Sequence, residues 1–324
     1  MEVALRSTAG SRYRLYRPPD IDRDSRRLPL LVMLHGCGQD ALQLAASTQV
    51  NRLAAREGFL VLYPEQDPGA NRHGCWNWYD AKSGRARAEA LAIGALVDEV
   101  CLWQPVDRER IALAGGHAGA AMAALVAIEF PQRFRAVTMH SGIGAEVADS
   151  LGGALVAMAG HRGVSLPLSF AGDLPPLLVI HGSADRSVAL INGTDAASSW
   201  AAQAGATPAA SRLVRRGGRY PATVTDYRAG GDLVARMWEI AGLGHAWSGG
   251  RAGQAYSDPA GPDATRILWS FALQQFRIPR GARHATARHA GLPQGGPADP
   301  ASVRRDHAVR DDDFDTAVLL AAGG

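Results

Sequence analysis

Three short segments of this chain carry residue types that acyl transfer needs. The first is Gly115-Gly116-His117-Ala118-Gly119, the frame of a sharp strand-to-helix turn that presents a nucleophile at its centre. Glycines flank such a turn because the helix crosses so near the strand that a Cβ would clash. The second is Ile180-His181-Gly182-Ser183-Ala184-Asp185, which puts a carboxylate in a loop just past an apolar strand. The third is Gly242-Leu243-Gly244-His245-Ala246-Trp247, a histidine in a glycine-softened loop. A base histidine needs a carboxylate to fix its tautomer and stabilise its cation. Each segment alone is weak evidence; together, in the order nucleophile position, acid, histidine, they form a triad pattern.

At the centre of the turn, however, stands an imidazole instead of a hydroxyl. Three chemistries are open to His117. It can be inert, filling the space that a scissile carbonyl must enter. It can act as the nucleophile, because imidazole forms covalent acyl intermediates that water hydrolyses. Or His117, His245 and Asp185 can form a two-histidine, one-carboxylate metal set. Backbone N–H groups for a developing oxyanion are expected from Leu34-His35-Gly36-Cys37-Gly38, at Cys37, and from Ala118 after the turn centre. His35 and His140 each end a strand and are expected to hold loops by hydrogen bonds. Ser141 follows a strand end and Ser183 lies in the acid loop, and neither is expected to substitute for the nucleophile. Trp200, Trp238 and Trp269 fall in amphipathic elements and are assigned to the core.

These loops need a scaffold, and strand and helix signals alternate along the chain as in a parallel sheet covered by helices. Leu30 to Leu34 is a continuous apolar run, as for a strand buried on both faces. Arg12 to Tyr16 reads as an edge strand; Leu60 to Tyr63, Ile111 to Ala114, Ala136 to His140 and Leu177 to His181 read as further strands. Helices are predicted over Ala41 to Glu57, Ala88 to Trp103, Ala118 to Phe130, Asn192 to Ala204 and Asp263 to Phe276. Tyr220 to Tyr227 and Leu233 to Ile240 flank Ala229-Gly230-Gly231-Asp232 as a hairpin. Residues 1–278 therefore form one catalytic-type domain, with Gly- and Ala-rich 142–173 as an inserted lid. Residues 279–324, where apolar periodicity vanishes, are expected to be largely disordered.

Leu34-His35-Gly36-Cys37-Gly38-Gln39-Asp40, Gly58 to Gln66, Cys75-Trp76-Asn77-Trp78, Val106 through Met122, His140-Ser141-Gly142, Ile180 to Asp185 and Gly244-His245-Ala246-Trp247 share a further property. In them the chain resembles the poly(3-hydroxybutyrate) depolymerase-type esterases, a branch of the α/β-hydrolases with feruloyl and acetylxylan esterase relatives. The resemblance runs from about Ala4 to Phe276. It implies an α/β-hydrolase fold, a mostly parallel doubly wound sheet with a small lid, and carboxylic-ester hydrolysis without a cofactor or metal. It also implies that Asp185 and His245 are acid and base, that Trp76, Asn77 and Trp78 line an ester cleft, and that Trp247 forms its other wall. The departure is His117, where the family carries serine, with Gly116 replacing a larger residue. Impaired hydrolysis is the leading expectation, and a catalytically inactive protein that binds an ester, polymer or protein is the alternative.

Composition sets the remaining bounds. The chain has 324 residues, 47% of them hydrophobic, and a net charge of +3 carried almost wholly by arginine, with Lys82 the single lysine. The arginines are scattered and not interleaved with aromatics, which argues against a nucleic-acid surface. No run approaches the roughly 20 apolar residues of a membrane span. The partner expected is a small or oligomeric ester, with no nucleic acid and no membrane. The first residues lack a secretory pattern, so a cytoplasmic location is expected unless a leader precedes them. Three cysteines, Cys37, Cys75 and Cys101, cannot all pair. Reduced thiols are the plain reading, and a Cys37–Cys75 bridge is open because both lie in loops near the site.

Overall fold

The computed structural model describes residues 2–6, 10–19, 26–145, 147–161 and 173–279. The predicted tail from 280 onward and 162–172 of the predicted lid lie outside the described residues. Strands are β1 (Glu2–Arg6), β2 (Arg12–Tyr16), β3 (Leu28–Leu34), β4 (Leu60–Pro64), β5 (Val106–Gly116), β6 (Ala136–His140), β7 (Leu177–Gly182), β8 (Thr207–Pro208), β9 (Arg212–Val214), β10 (Ala222–Ala229), β11 (Asp232–Ile240), β12 (Trp247–Ser248) and β13 (Ser257–Asp258). Helices are α1 (Ala41–Thr48), α2 (Val50–Glu57), α3 (Arg85–Trp103), α4 (Ala118–Glu129), α5 (Leu151–Met158), α6 (Leu190–Gln203) and α7 (Ala264–Phe276).

The main sheet runs β1-β2-β4-β3-β5-β6-β7-β11-β10-β8, with β9 also on β10. Its centre, β4 through β11, is parallel, and antiparallel pairs close both edges. Because successive side chains point to opposite faces, β3 feeds two cores. Leu30, Val32 and Leu34 join the layer under α3, α4 and α6, while Leu31 and Met33 join the layer under α1, α2 and α7. Burial on both faces explains why this strand is apolar without alternation. This is the α/β-hydrolase fold, with the loops after the parallel strands gathered at one end of the sheet.

Two predicted boundaries need correction. The helix expected over 41–57 is two helices, broken at Gln49, whose backbone is left-handed at φ 55°. Ser47 Oγ and Thr48 Oγ1 both donate back to the Leu44 carbonyl, drawing off the helix's own bonding just before the break. Apolar periodicity survives on both sides, at Leu44 and Ala45 and again at Val50, Leu53 and Ala54, so spacing alone hides the turn. The stretch 142–173, expected as a lid, contains α5, which weak periodicity concealed; Ser150 caps it by accepting from the Gly153 N–H. Trp200, Trp238 and Trp269 are core residues, as expected. Among the described residues no helix is long and apolar enough to cross a membrane.

Candidate active site

The turn between β5 and α4 is set by close approach. A Cβ on Gly115 would lie 2.0 Å from the Gly119 carbonyl oxygen, and one on Gly119 would lie 2.3 Å from the Leu34 carbonyl oxygen. Neither backbone atom can retreat, so only glycine fits at both ends. Gly116 is different: a Cβ there would meet the Trp247 ring at an ordinary 3.7 Å. Between them His117 adopts φ 58°, ψ −122°, a conformation that costs a non-glycine residue about 1–3 kcal/mol. The strain is held by a hydrogen bond from the His117 N–H to the His140 carbonyl and another from the Ala120 N–H to the His117 carbonyl.

The other two predicted residues converge on this turn. His245 Nδ1 donates to Asp185 Oδ2 at 2.8 Å and lies 3.1 Å from Oδ1. Asp185 Oδ1 also accepts the backbone N–H groups of Ser187 and Val188. Burial works to raise the Asp185 pKa, but the bond from His245, the nearby ring charges and the Val188 N–H outweigh it and hold the carboxyl below its usual range. Asp185 is thus an ionised, oriented acceptor that fixes the His245 proton on Nδ1 and leaves Nε2 with its lone pair. The His117 ring lies over that of His245, centroids 4.0 Å apart and planes tilted by 48°. Burial first, then the neighbouring rings of His245, His140 and His181, push the His117 pKa well below its ordinary value. It is a neutral imidazole, and its Nδ1 is buried with no hydrogen-bond partner among the described residues.

Opposite His117 is the loop after β3. A Cβ on Gly36 would lie 2.8 Å from His117 Cδ2, so the imidazole rests directly on the Gly36 backbone. Among the described residues, neither the Cys37 N–H nor the Ala118 N–H has an acceptor. Ala118 also begins α4, whose first N–H groups have no intrahelical partner and whose dipole favours negative charge there. The loop is clamped from behind: His35 Nε2 accepts the Gln66 N–H, His35 Nδ1–H donates to the Gly36 carbonyl, and Trp76 Nε1–H donates to the His35 carbonyl. A disulfide joins Cys37 to Cys75, which settles the thiol alternative for that pair; Cys101 is a buried free thiol. His140 holds the far side, stacked on Trp247 at 4.6 Å, accepting the Ser248 N–H on Nε2 and donating from Nδ1–H to Ser141 Oγ.

A cavity of about 120 Å³ opens above His117 and His245, lined among others by Cys37, Cys75, Trp78, Tyr79, Ala118 and Tyr256. Of the four predicted wall residues only Trp78 lines it. Trp76 is turned back to brace the loop after β3. Asn77 is buried, bonded through its side chain and backbone to Glu89 and through its carbonyl oxygen to Asn71. Trp247 packs under the site on His140, with its Nε1–H on Thr265 Oγ1. All three share a loop with cleft residues but spend their polar atoms on the scaffold. Sequence reasoning missed Tyr256, whose ring is 5.5 Å from His117. Its backbone is left-handed at φ 54° and its carbonyl accepts the Trp247 N–H. No local motif announces it, because its position depends on β12 pairing with β13. For the metal alternative, Asp185 already spends Oδ2 on His245 and Oδ1 on two backbone N–H groups. Among the described residues no group of three or more His, Cys, Asp or Glu is arranged to hold a metal ion.

Residues 11–224 match the model of the family described as esterase PHB depolymerase. The chain belongs to that family. A poly(3-hydroxyalkanoate) depolymerase C from Paucimonas lemoignei is 32% identical over 177 residues, 51% of this chain and 42% of the relative. A feruloyl esterase B from Neurospora crassa is 28% identical over 38% of this chain and 41% of the relative. The chain thus spans less than half the length of these two relatives. Among solved structures, an acetyl xylan esterase from Aspergillus awamori superposes with a TM-score of 0.62 at 19% identity, over 76% of this chain and 94% of that one; this supports the fold.

Proposed function

We propose that this protein binds carboxylic esters in the cleft above residue 117 and hydrolyses them poorly, because His117 stands where the family's triad has its serine. The observation that carries this is the Asp185–His245 hydrogen bond at 2.8 Å, aimed at an elbow residue held at φ 58°. A serine there would give its proton to His245 Nε2 as Oγ bonds the acyl carbon. The Cys37 and Ala118 N–H groups would hold the oxyanion, and His245 would return the proton to the leaving alkoxide. Water would then release the acid by the same route. The neutral ring of His117 instead covers His245 and rests on Gly36, in the space the carbonyl must enter. Loss of the nucleophile from such a triad costs about 10⁶ in turnover.

The same ring contact favours a second reading, a protein that binds an ester, polymer or protein without turnover. Hydrolysis of p-nitrophenyl butyrate by the parent and by His117→Ser separates the two. A large gain in His117→Ser over a slow but measurable parent supports the first reading. A parent at the background rate, with the same gain, supports the second. No gain in His117→Ser refutes the triad assignment itself. The Cys37–Cys75 bond supports an oxidising compartment for the protein, against the cytoplasmic location expected from its first residues.

A further inference from the structure

α5 turns one face toward the cleft. Leu151, Ala154, Leu155 and Met158 all line it, and their spacing of three and four residues is one stripe of a helix. The opposite face is in solvent at Val156. Ala154 and Met158 pack against the core as well, but Leu151, Leu155 and Met158 are only half-buried, so this apolar stripe also borders the cavity. Ala121 and Ile143 continue the apolar wall from the Ala118 N–H outward. Among the described residues no Asp, Glu, Lys or Arg lines this cavity. The α5 side of this wall carries no hydroxyl, amide or charged group, and removes apolar carbon from water.

Direction follows from the chemistry. His245 must protonate the leaving oxygen, so the alcohol portion lies on the His245 and Tyr256 side. The acyl portion then extends past Ala118 and Ala121 toward α5. We propose that the cleft accepts esters of unbranched aliphatic acids longer than acetyl, with the acyl chain laid along the Leu151–Met158 stripe of α5. This deepens the proposed function and rests on it.

Two measurements test the inference separately from the triad. In His117→Ser, kcat/KM is measured for p-nitrophenyl acetate, butanoate and hexanoate. Each methylene buried on α5 is expected to raise it about fourfold, from about 0.8 kcal/mol per methylene. Ala154→Phe in that background fills the stripe, and should abolish the rise in kcat/KM from acetate to hexanoate. Met158→Trp, at a half-buried position, gives the same readout if Ala154→Phe does not fold. A flat or falling series in an active His117→Ser overturns the acyl-site inference and leaves the triad standing. If His117→Ser hydrolyses none of the esters, the triad reading falls, and calorimetry on the parent with N-phenylbutanamide and N-phenylhexanamide decides the cleft. Tighter hexanamide binding, lost in Ala154→Phe, sustains it; equal affinities overturn it.

Discussion

Acid should undo this protein through the histidines that build its site. His140 is fully buried between Trp247 and Ser141, and its Nε2 accepts the Ser248 N–H at 3.1 Å. Protonating that nitrogen breaks the bond and puts a charge in the core. Burial first, then the rings of His181 and His245, push its pKa down to about 3. In the unfolded chain a histidine takes up its proton below about pH 6.5. Between those two values the unfolded state binds more protons, so stability present above about 6.5 is lost as pH falls. From 6.5 to about 3 the loss is roughly 5 kcal/mol for His140 alone, at about 1.4 kcal/mol per unit. His35, His117 and His181 are lowered in the same direction, each chiefly by burial, and add to it. Against a total of about 5–15 kcal/mol, the fold should fail well above the pH at which its carboxylates protonate. Urea unfolding followed by tryptophan fluorescence, at pH values from about 7.5 to about 4.5, measures the slope. His140→Gln cannot take up the proton: it should be less stable than the parent at pH 7.5, with a gap narrowing by about 2.7 kcal/mol at pH 4.5. A constant gap, or stability flat across this range, would refute the reasoning.

Other consequences follow from the same geometry. Asp185→Asn, in the His117→Ser background, should cut kcat about 10⁴-fold by releasing the His245 tautomer. Its melting temperature should change little, because the amide oxygen can still accept the Ser187 and Val188 N–H groups; a large drop would mark Asp185 as structural. Gly119→Ala should cost about 3 kcal/mol, since its Cβ meets the Leu34 carbonyl oxygen, whereas Gly116→Ala should be neutral or stabilising by up to about 1 kcal/mol. Equal effects in thermal unfolding would show that the helix does not approach the strand as described. Removing the Cys37–Cys75 bond, which spans 38 residues, by Cys37→Ala with Cys75→Ala should cost about 4 kcal/mol in urea unfolding. Equal midpoints with and without the bond would show that it constrains nothing.

Legibility in the sequence followed the range of each interaction. The elbow, the acid loop and the histidine loop could be recognised because each is a glycine-bearing turn after an apolar strand, a local pattern. Helix α7 could be placed because Asp263 caps it by accepting the Arg266 N–H and its apolar spacing repeats. Side-chain direction was harder. Trp76, Asn77 and Trp247 belong to the right loops, but whether an indole faces substrate or scaffold depends on partners distant in the chain: the His35 carbonyl, Glu89 and Thr265. Tyr256 entered the site through the pairing of β12 with β13, which leaves no trace in local spacing. α5 stayed hidden because alanine and glycine make up half of 151–158 and its apolar stripe borders a cavity. The split at Gln49 was masked by apolar periodicity that continues across it.

That residue 117 occupies the nucleophile position, primed by Asp185 through His245, can be tested by stoichiometric labelling. The parent, His117→Ser and His117→Ser with His245→Ala are each treated with diethyl p-nitrophenyl phosphate, which phosphorylates activated serines with release of p-nitrophenol. Intact mass and peptide mapping then locate the adduct. The account predicts one adduct on His117→Ser, at residue 117, lost when His245 is removed and absent from the parent. An unlabelled His117→Ser, or an adduct that survives the loss of His245, would contradict it.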